Sequence, residues 1–323
     1  MPIAGGDPGA VAQPPPGRQR SWRPDGPVDL LRTVSPLRHG TGDPVARVVD
    51  GAFWWAARTP DGPATVRVSV RPAEGELTAQ AWGPGAERLL AAAPDLVGGG
   101  DDWSGLHVGH HPILADVRRR FPGVRLPRTG QVLDSLVPAC LEQRVTGQEA
   151  RRAWRALVRH YGEPAPGPAE PQLWLAPDPA ALLAVPSWDW HRFGVDGQRW
   201  RAIRAAATVA SRLEECVAIA AEHGMAAVHQ RLRVVPGIGE WTAAETSLRA
   251  LGNPDAVSVG DFHVHNLVGY VLTGAARTDD DTMLELLEPW RGQRARVIRL
   301  VELSGLTPPK YGPRYSPADI RKI

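Results

Sequence analysis

The alternation of apolar and polar positions divides the chain into a short strand-like stretch and a long helical one. From Val28 to about Trp82 the pattern has strand character: FWWAAR and ATVRVSV flank a TPDGP turn, and ELTAQAW follows. A small antiparallel sheet is predicted there. AERLLAAAPDLV, ending at Val97, carries its leucines at helical spacing and predicts a helical cover for the sheet. GGGDD at 98–102 reads as a linker. From His111 onward helical periodicity dominates, broken by the loop PAPGPAEPQ at 164–172 and by SWDWHRFG, whose Trp188, Trp190 and Phe193 are expected in the core. QRWRAIRAAATVASRLEE predicts an amphipathic helix. Met1 to about Pro27 is rich in Pro, Gly and Arg without apolar periodicity, the composition of a disordered arm. The expected organisation is therefore an arm over 1–27, an α+β domain over 28–105 and a helical region over 106–323, mainly α by class.

Inside the helical region, Val217 to Val235 keep helical spacing until Pro236, Gly237 and Gly239 break it, and a second helical run begins near Glu240. This is helix, tight turn, helix. The two glycines remove side chains where a phosphate would approach, and the first amides of the second helix would face it with a favourable dipole. A plain turn between packed helices has the same local signature. Asp261 stands twenty residues after Trp241, before the apparent helix Phe262 to Leu272, where Asp is also a favoured N-cap. The capping and chemical roles are compatible.

The order of parts narrows the choice: VPGIGEWTA, a short helix ending near Gly252, an NPD turn, a Ser-Val-Gly step, then Asp261. It resembles the helix-hairpin-helix DNA glycosylase superfamily, and within it the bacterial 3-methyladenine DNA glycosylase II branch, over about 112–305. The resemblance implies a two-lobed helical glycosylase core behind an amino-terminal antiparallel sheet domain. It implies Asp261 as the catalytic carboxylate, since rupture of an N-glycosidic bond builds positive charge on the sugar and a fixed anion lowers that barrier. The same carboxylate could orient or deprotonate water. Pro236, Gly237, Ile238, Gly239 and Thr242 would form the DNA-facing hairpin, with a monovalent cation at its carbonyls and no other cofactor. LEQRVTGQEA occupies the place where relatives wedge a side chain into the duplex, which makes Gln143 and Arg144 the wedge candidates; a solvated helix face is the plain alternative.

Trp241 falls on the aromatic position of the base pocket, where an indole could stack on a cationic base. It also stands where bifunctional relatives carry a Schiff-base lysine. The lysines of this chain are Lys310 and Lys322, both in the tail, so a monofunctional enzyme is expected. Two positions depart from the pattern. Glu245 replaces a tyrosine and Arg299 a pocket-wall aromatic, whereas Trp290 matches the Pro-Trp-Arg element. An arginine in the pocket would oppose a cationic base unless Glu245 paired with it. The expected substrate is an alkylated purine in double-stranded DNA, everted from the helix. A glycosylase for a deaminated or oxidised base and a non-catalytic DNA-binding protein are the alternatives.

Composition adds bounds. The 323 residues carry a formal charge of +2, split as −2 over residues 1–105 and +4 over the rest, so a DNA grip must be local, made by a few arginines and backbone amides. Cys140 and Cys216 are the only cysteines, too few for a four-thiolate iron–sulfur cluster, and each reads as a buried small hydrophobe. His263 and His265 would lie on different faces of a helix, which disfavours metal ligation. Neither a signal peptide nor a membrane-length apolar run is apparent, and a monomeric cytoplasmic protein is expected.

Overall fold

The computed structural model describes residues 17–71, 75–168 and 170–309. About half of it is helix, with one five-stranded antiparallel sheet. The sheet comprises β1 (Arg18–Trp22), β2 (Ala46–Val49), β3 (Ala52–Thr59), β4 (Gly62–Arg71) and β5 (Glu76–Trp82), in the order β1-β5-β4-β3-β2. The tight turn between β3 and β4 sets Phe53 opposite Val68 and Trp55 opposite Val66. β3 is apolar almost throughout because both its faces are covered. Phe53, Trp55 and Ala57 belong to the main core, while Ala52, Trp54 and Ala56 meet Leu173 and Leu175.

Strand β1 corrects one expectation. Residues 18–22 were assigned to an irregular arm, yet they pair in register with β5, Arg18 to Ala81 through Trp22 to Leu77. The ladder's backbone bonds specify this edge strand; its side chains are mostly exposed, so no apolar alternation announces it. Residues 1–16 of the arm, like Lys310 and Lys322, lie outside the described residues.

Helix α1 (Leu30–Val34) and a 3-10 turn (Ser35–Leu37) lead into the sheet, and α2 (Ala86–Leu96) covers it. The helical part continues with α3 (Pro112–Arg120), α4 (Val132–Glu142) and α5 (Gly147–Tyr161), then a two-residue ladder of β6 (Glu163–Pro164) with β7 (Trp174–Leu175). There follow α6 (Pro179–Ala184), α7 (Ser187–Phe193), α8 (Gly197–Thr208), α9 (Ala210–Glu214), α10 (Cys216–Arg233), α11 (Glu240–Leu251), α12 (Val264–Thr273), α13 (Asp280–Leu287) and α14 (Arg294–Leu303). Helix α10 is kinked at Gly224, φ +78°. Trp190 and Phe193 are buried as expected, but Trp188 is 72% exposed. Among the described residues no helix is long and apolar enough to cross a membrane.

Packing divides these elements into two cores that do not follow a boundary near 105. One continuous cluster joins the sheet to residues of α4, α5, α8, α10 and α11. A second gathers Trp103, Val108, Trp290 and the inner faces of α3, α12, α13 and α14. Between them lies a small cluster of Leu126, Ala244, Ala256 and Ala295. Asp101 ties the second core to the chain leaving the first. Its carboxylate accepts from Leu126 N (2.6 Å), Trp103 Nε1 and Arg296 Nε (2.9 Å), and both ionic side chains are buried. Through Asp101 the GGGDD segment acts as a staple, and Gly98 at φ +72° lies against Arg125 and Leu126 with no room for a Cβ. Cys140 and Cys216 are buried, and burial pushes their thiols up to about 12 and about 11.

Candidate active site

The hairpin lies between α10 and α11, on the first core, and each of its residues has a separate duty. Gly237 sits at φ +85°, and a Cβ there would stand 2.6 Å from Ala202 Cβ, so both the turn and the contact with α8 demand glycine. Ile238 is 5% exposed and pins the turn to the core. Pro236, Gly237 and Gly239 are exposed, and nothing lies within 4 Å of a Cβ built on Gly239. Gly239 precedes α11 without a side-chain cap, which leaves the first amides of that helix directed outward.

Gln143 ends α4 and reaches this turn rather than solvent. Its Nε2 donates to the Gly237 carbonyl (3.0 Å) and to Thr242 Oγ1 (2.9 Å). Thr242 is itself 2% exposed. Two expectations change accordingly: Gln143 is a brace for the hairpin, and Thr242 and Ile238 support it from inside instead of facing a ligand with their side chains. Arg144, the other wedge candidate, is exposed and is held at φ +55°, a left-handed backbone that an arginine adopts at a cost.

Asp261 opens the second core. Its Oδ1 accepts from the amides of His263 (2.7 Å) and Val264 (3.0 Å), and its Oδ2 accepts from Trp241 Nε1 (3.2 Å). The two amides would otherwise be orphan donors at the start of α12, which is why that helix begins at Val264 and not at Phe262. The two amides orient the carboxylate, and the indole bond joins α11 to the turn that precedes α12. Trp241 is half-buried, with its N–H spent on Asp261.

A second link lies one helical turn along. Ser258 Oγ donates to Glu245 Oε1, and the Ser258 carbonyl accepts from Asp261 N (3.1 Å), so the turn bearing Asp261 is moored to α11 at two points. Glu245 Oε2 pairs with Arg249, whose Nε also donates to the Pro36 carbonyl (3.0 Å). Burial alone would lower the Arg249 pKa, but Glu245 and Glu142 outweigh it and hold the guanidinium charged. Burial likewise works to raise the Glu142 carboxyl; the His39 hydrogen bond and the Arg249 charge prevail and keep it below the usual range.

Arg299 does not complete this cluster. It bonds Glu302 (2.7 Å), the Arg32 carbonyl (2.7 Å) and Ser35 Oγ (2.8 Å). The condition set from sequence, that Glu245 pair with an Arg299 in the pocket, is not met: the two form separate pairs, each with a complementary charge three or four positions along its own helix. Ser258 and Arg249 escaped the sequence reading, although Glu245 and Arg249 at i,i+4 are a legible helix pair. An open cavity of about 710 Å³ around Val108, His110 and Arg118 lies on the second core and includes none of the candidate residues.

No family model matches the chain. A stretch of 155 residues, 48% of this chain, is 30% identical to the probable bifunctional transcriptional activator/DNA repair enzyme AlkA of Mycobacterium tuberculosis. The chain spans about a third of the length of the curated relatives it matches, 30% of each. The structure is similar to a 3-methyladenine DNA glycosylase from Archaeoglobus fulgidus, with a TM-score of 0.70 and 16% identity over 88% of this chain and 97% of that one. It is also similar to the 8-oxoguanine glycosylase/lyase of Clostridium acetobutylicum in complex with double-stranded DNA, with a TM-score of 0.64 and 12% identity over 86% of this chain and 91% of the other. These likenesses establish a shared fold.

Proposed function

We propose that this chain is a member of the helix-hairpin-helix DNA glycosylase superfamily, a reading supported by its partial likeness to AlkA and by its fold, and that it is a monofunctional glycosylase that hydrolyses the N-glycosidic bond of alkylated purines in duplex DNA. The observation that carries the proposal is the Asp261 carboxylate, fixed by two amides and one indole N–H beside a hairpin that exposes its backbone. As the base leaves, positive charge grows on the sugar, and an anion that needs no reorganisation stabilises it. A lone pair of Asp261 not engaged by these donors would orient or take the proton of the attacking water.

The remaining parts follow from what each residue can do. The Gly239 turn and the first amides of α11 would receive a phosphate of one strand. Val235 and Gly237 carbonyls each accept one protein hydrogen bond, and their second lone pairs fit a monovalent cation shared with that phosphate. Arg144 would fill the gap left by the everted nucleotide. Trp241, in place of a lysine, favours hydrolysis without strand cleavage. The partner would be duplex DNA, engaged by a monomer in the cytoplasm.

The mooring of Glu245 by Arg249 and Ser258 favours a second reading. A hydrogen-bonding wall suits a neutral lesion better than an aromatic one does, as with a deaminated base. Release of 3-methyladenine, 7-methylguanine and hypoxanthine from defined duplexes separates the two. Alkylated purines released at least tenfold faster, leaving sites that break only with heat or alkali, are expected. Hypoxanthine as the preferred product, or strand nicking by the pure protein, would refute the first reading.

A further inference from the structure

Phe262 is 79% exposed, the most exposed of the large apolar side chains among the described residues, and it directly follows Asp261. Its position is fixed from both sides. The Asp261 carboxylate bonds the amide of the next residue, and the Phe262 ring meets the His263 ring edge-on at 5.0 Å and 88°. Apart from that edge contact the ring is left in water, one residue from the carboxylate. Val234, at the mouth of the hairpin, is the other strongly exposed apolar residue beside the site, at 77%.

We propose that Phe262 is a DNA-stacking residue that covers the base flanking the everted nucleotide on the same strand. The inference rests on the glycosylase reading. Phe262 directly follows Asp261 and projects its ring into solvent, so a nucleotide whose sugar meets the carboxylate would bring its neighbour on the strand within reach of that ring. Eversion removes a stacking neighbour from that base and exposes its π-face. An aromatic ring covers such a face whatever the base, so Phe262 adds affinity for the opened duplex without adding sequence preference. Arg144 and Phe262 would then share the work, one filling the hole and the other capping the interrupted stack.

The test uses the full chain and a duplex with a tetrahydrofuran abasic site, with 2-aminopurine placed on either side of it. Native protein is expected to quench one of the two probes. Phe262→Ala should restore that emission and weaken binding roughly 5- to 100-fold, Phe262→Leu should restore emission with a smaller loss, and Phe262→Tyr should retain both properties. Urea unfolding should not move, since the ring is exposed. A Phe262→Ala protein that binds and quenches like the native one overturns the proposal while leaving the glycosylase reading intact. Failure of native protein to bind the abasic duplex and to release any damaged base overturns both.

Discussion

Gly237 and Gly239 lie two residues apart in one turn, and the structure assigns them opposite reasons for being glycine. At Gly237 an alanine would meet Ala202 Cβ at 2.6 Å and Cα at 3.3 Å with φ at +85°. Left-handed backbone costs a residue with a Cβ about 1–2 kcal/mol, and overpacking of a rigid contact about 1–3 kcal/mol. Gly237→Ala should therefore lose roughly 2–5 kcal/mol of folding stability and disturb the Gln143 brace. At Gly239 the backbone is extended, φ −89° and ψ −174°, with open space around a Cβ. The poorer N-cap there costs up to about 1 kcal/mol, and reduced freedom of the unfolded chain returns about 0.4–1 kcal/mol. Gly239→Ala should fold like the native protein in urea titrations. Its methyl group nevertheless stands where a phosphate would approach the amides, and loss of one charge-assisted hydrogen bond, about 1.5–3 kcal/mol, weakens binding at least tenfold. Fluorescence anisotropy with a labelled abasic duplex measures this. Unchanged affinity in a folded Gly239→Ala protein would show that the hairpin does not present its backbone to DNA.

Other outcomes follow from the same geometry. Asp101→Ala strips a buried carboxylate from Arg296, Trp103 and Leu126 and should cost about 3–5 kcal/mol in urea unfolding; a loss below about 1 kcal/mol would mark the segment as a loose connection. Ser258→Ala frees one mooring of the Asp261 turn, so single-turnover base release should slow about tenfold while abasic-DNA affinity holds, and equal losses in both would point to general misfolding. Burial, with repulsion from Glu214, pushes the Asp134 carboxyl up to about 7, and the residue lines a small cavity together with Ser135 and Arg249. A raised acid stays protonated in the fold while the unfolded chain ionises, so stability falls between about pH 4 and 7 and levels off above. Asp134→Asn should thus be more stable than native protein by about 2–4 kcal/mol at pH 8, with the difference gone near pH 4. A gain that persists at pH 4 contradicts this origin.

The sheet and the helix-turn-helix were legible because each has local chemistry that writes a local pattern. β5 fills the expected ELTAQAW, and α11 begins at the expected Glu240. What escaped depends on partners distant in sequence. β1 is specified by a ladder with β5 some sixty residues away. The staple role of Asp101 needs Arg296, and the duty of Gln143 needs the Gly237 carbonyl. Pocket positions misled for a related reason: Glu245 and Arg299 were compared across space, while their nearest opposite charges lie on their own helices. Trp188 shows the converse, an apolar residue whose exposure no local pattern foretold.

The most direct test of catalysis by Asp261 is single-turnover base release by native protein and Asp261→Asn on one methylated duplex, with affinity for an abasic duplex measured alongside. Asparagine keeps an acceptor for the amides of His263 and Val264 and removes the charge, so release should fall at least a hundredfold while binding stays within about threefold. Native-like release by the folded variant would contradict the account at its centre.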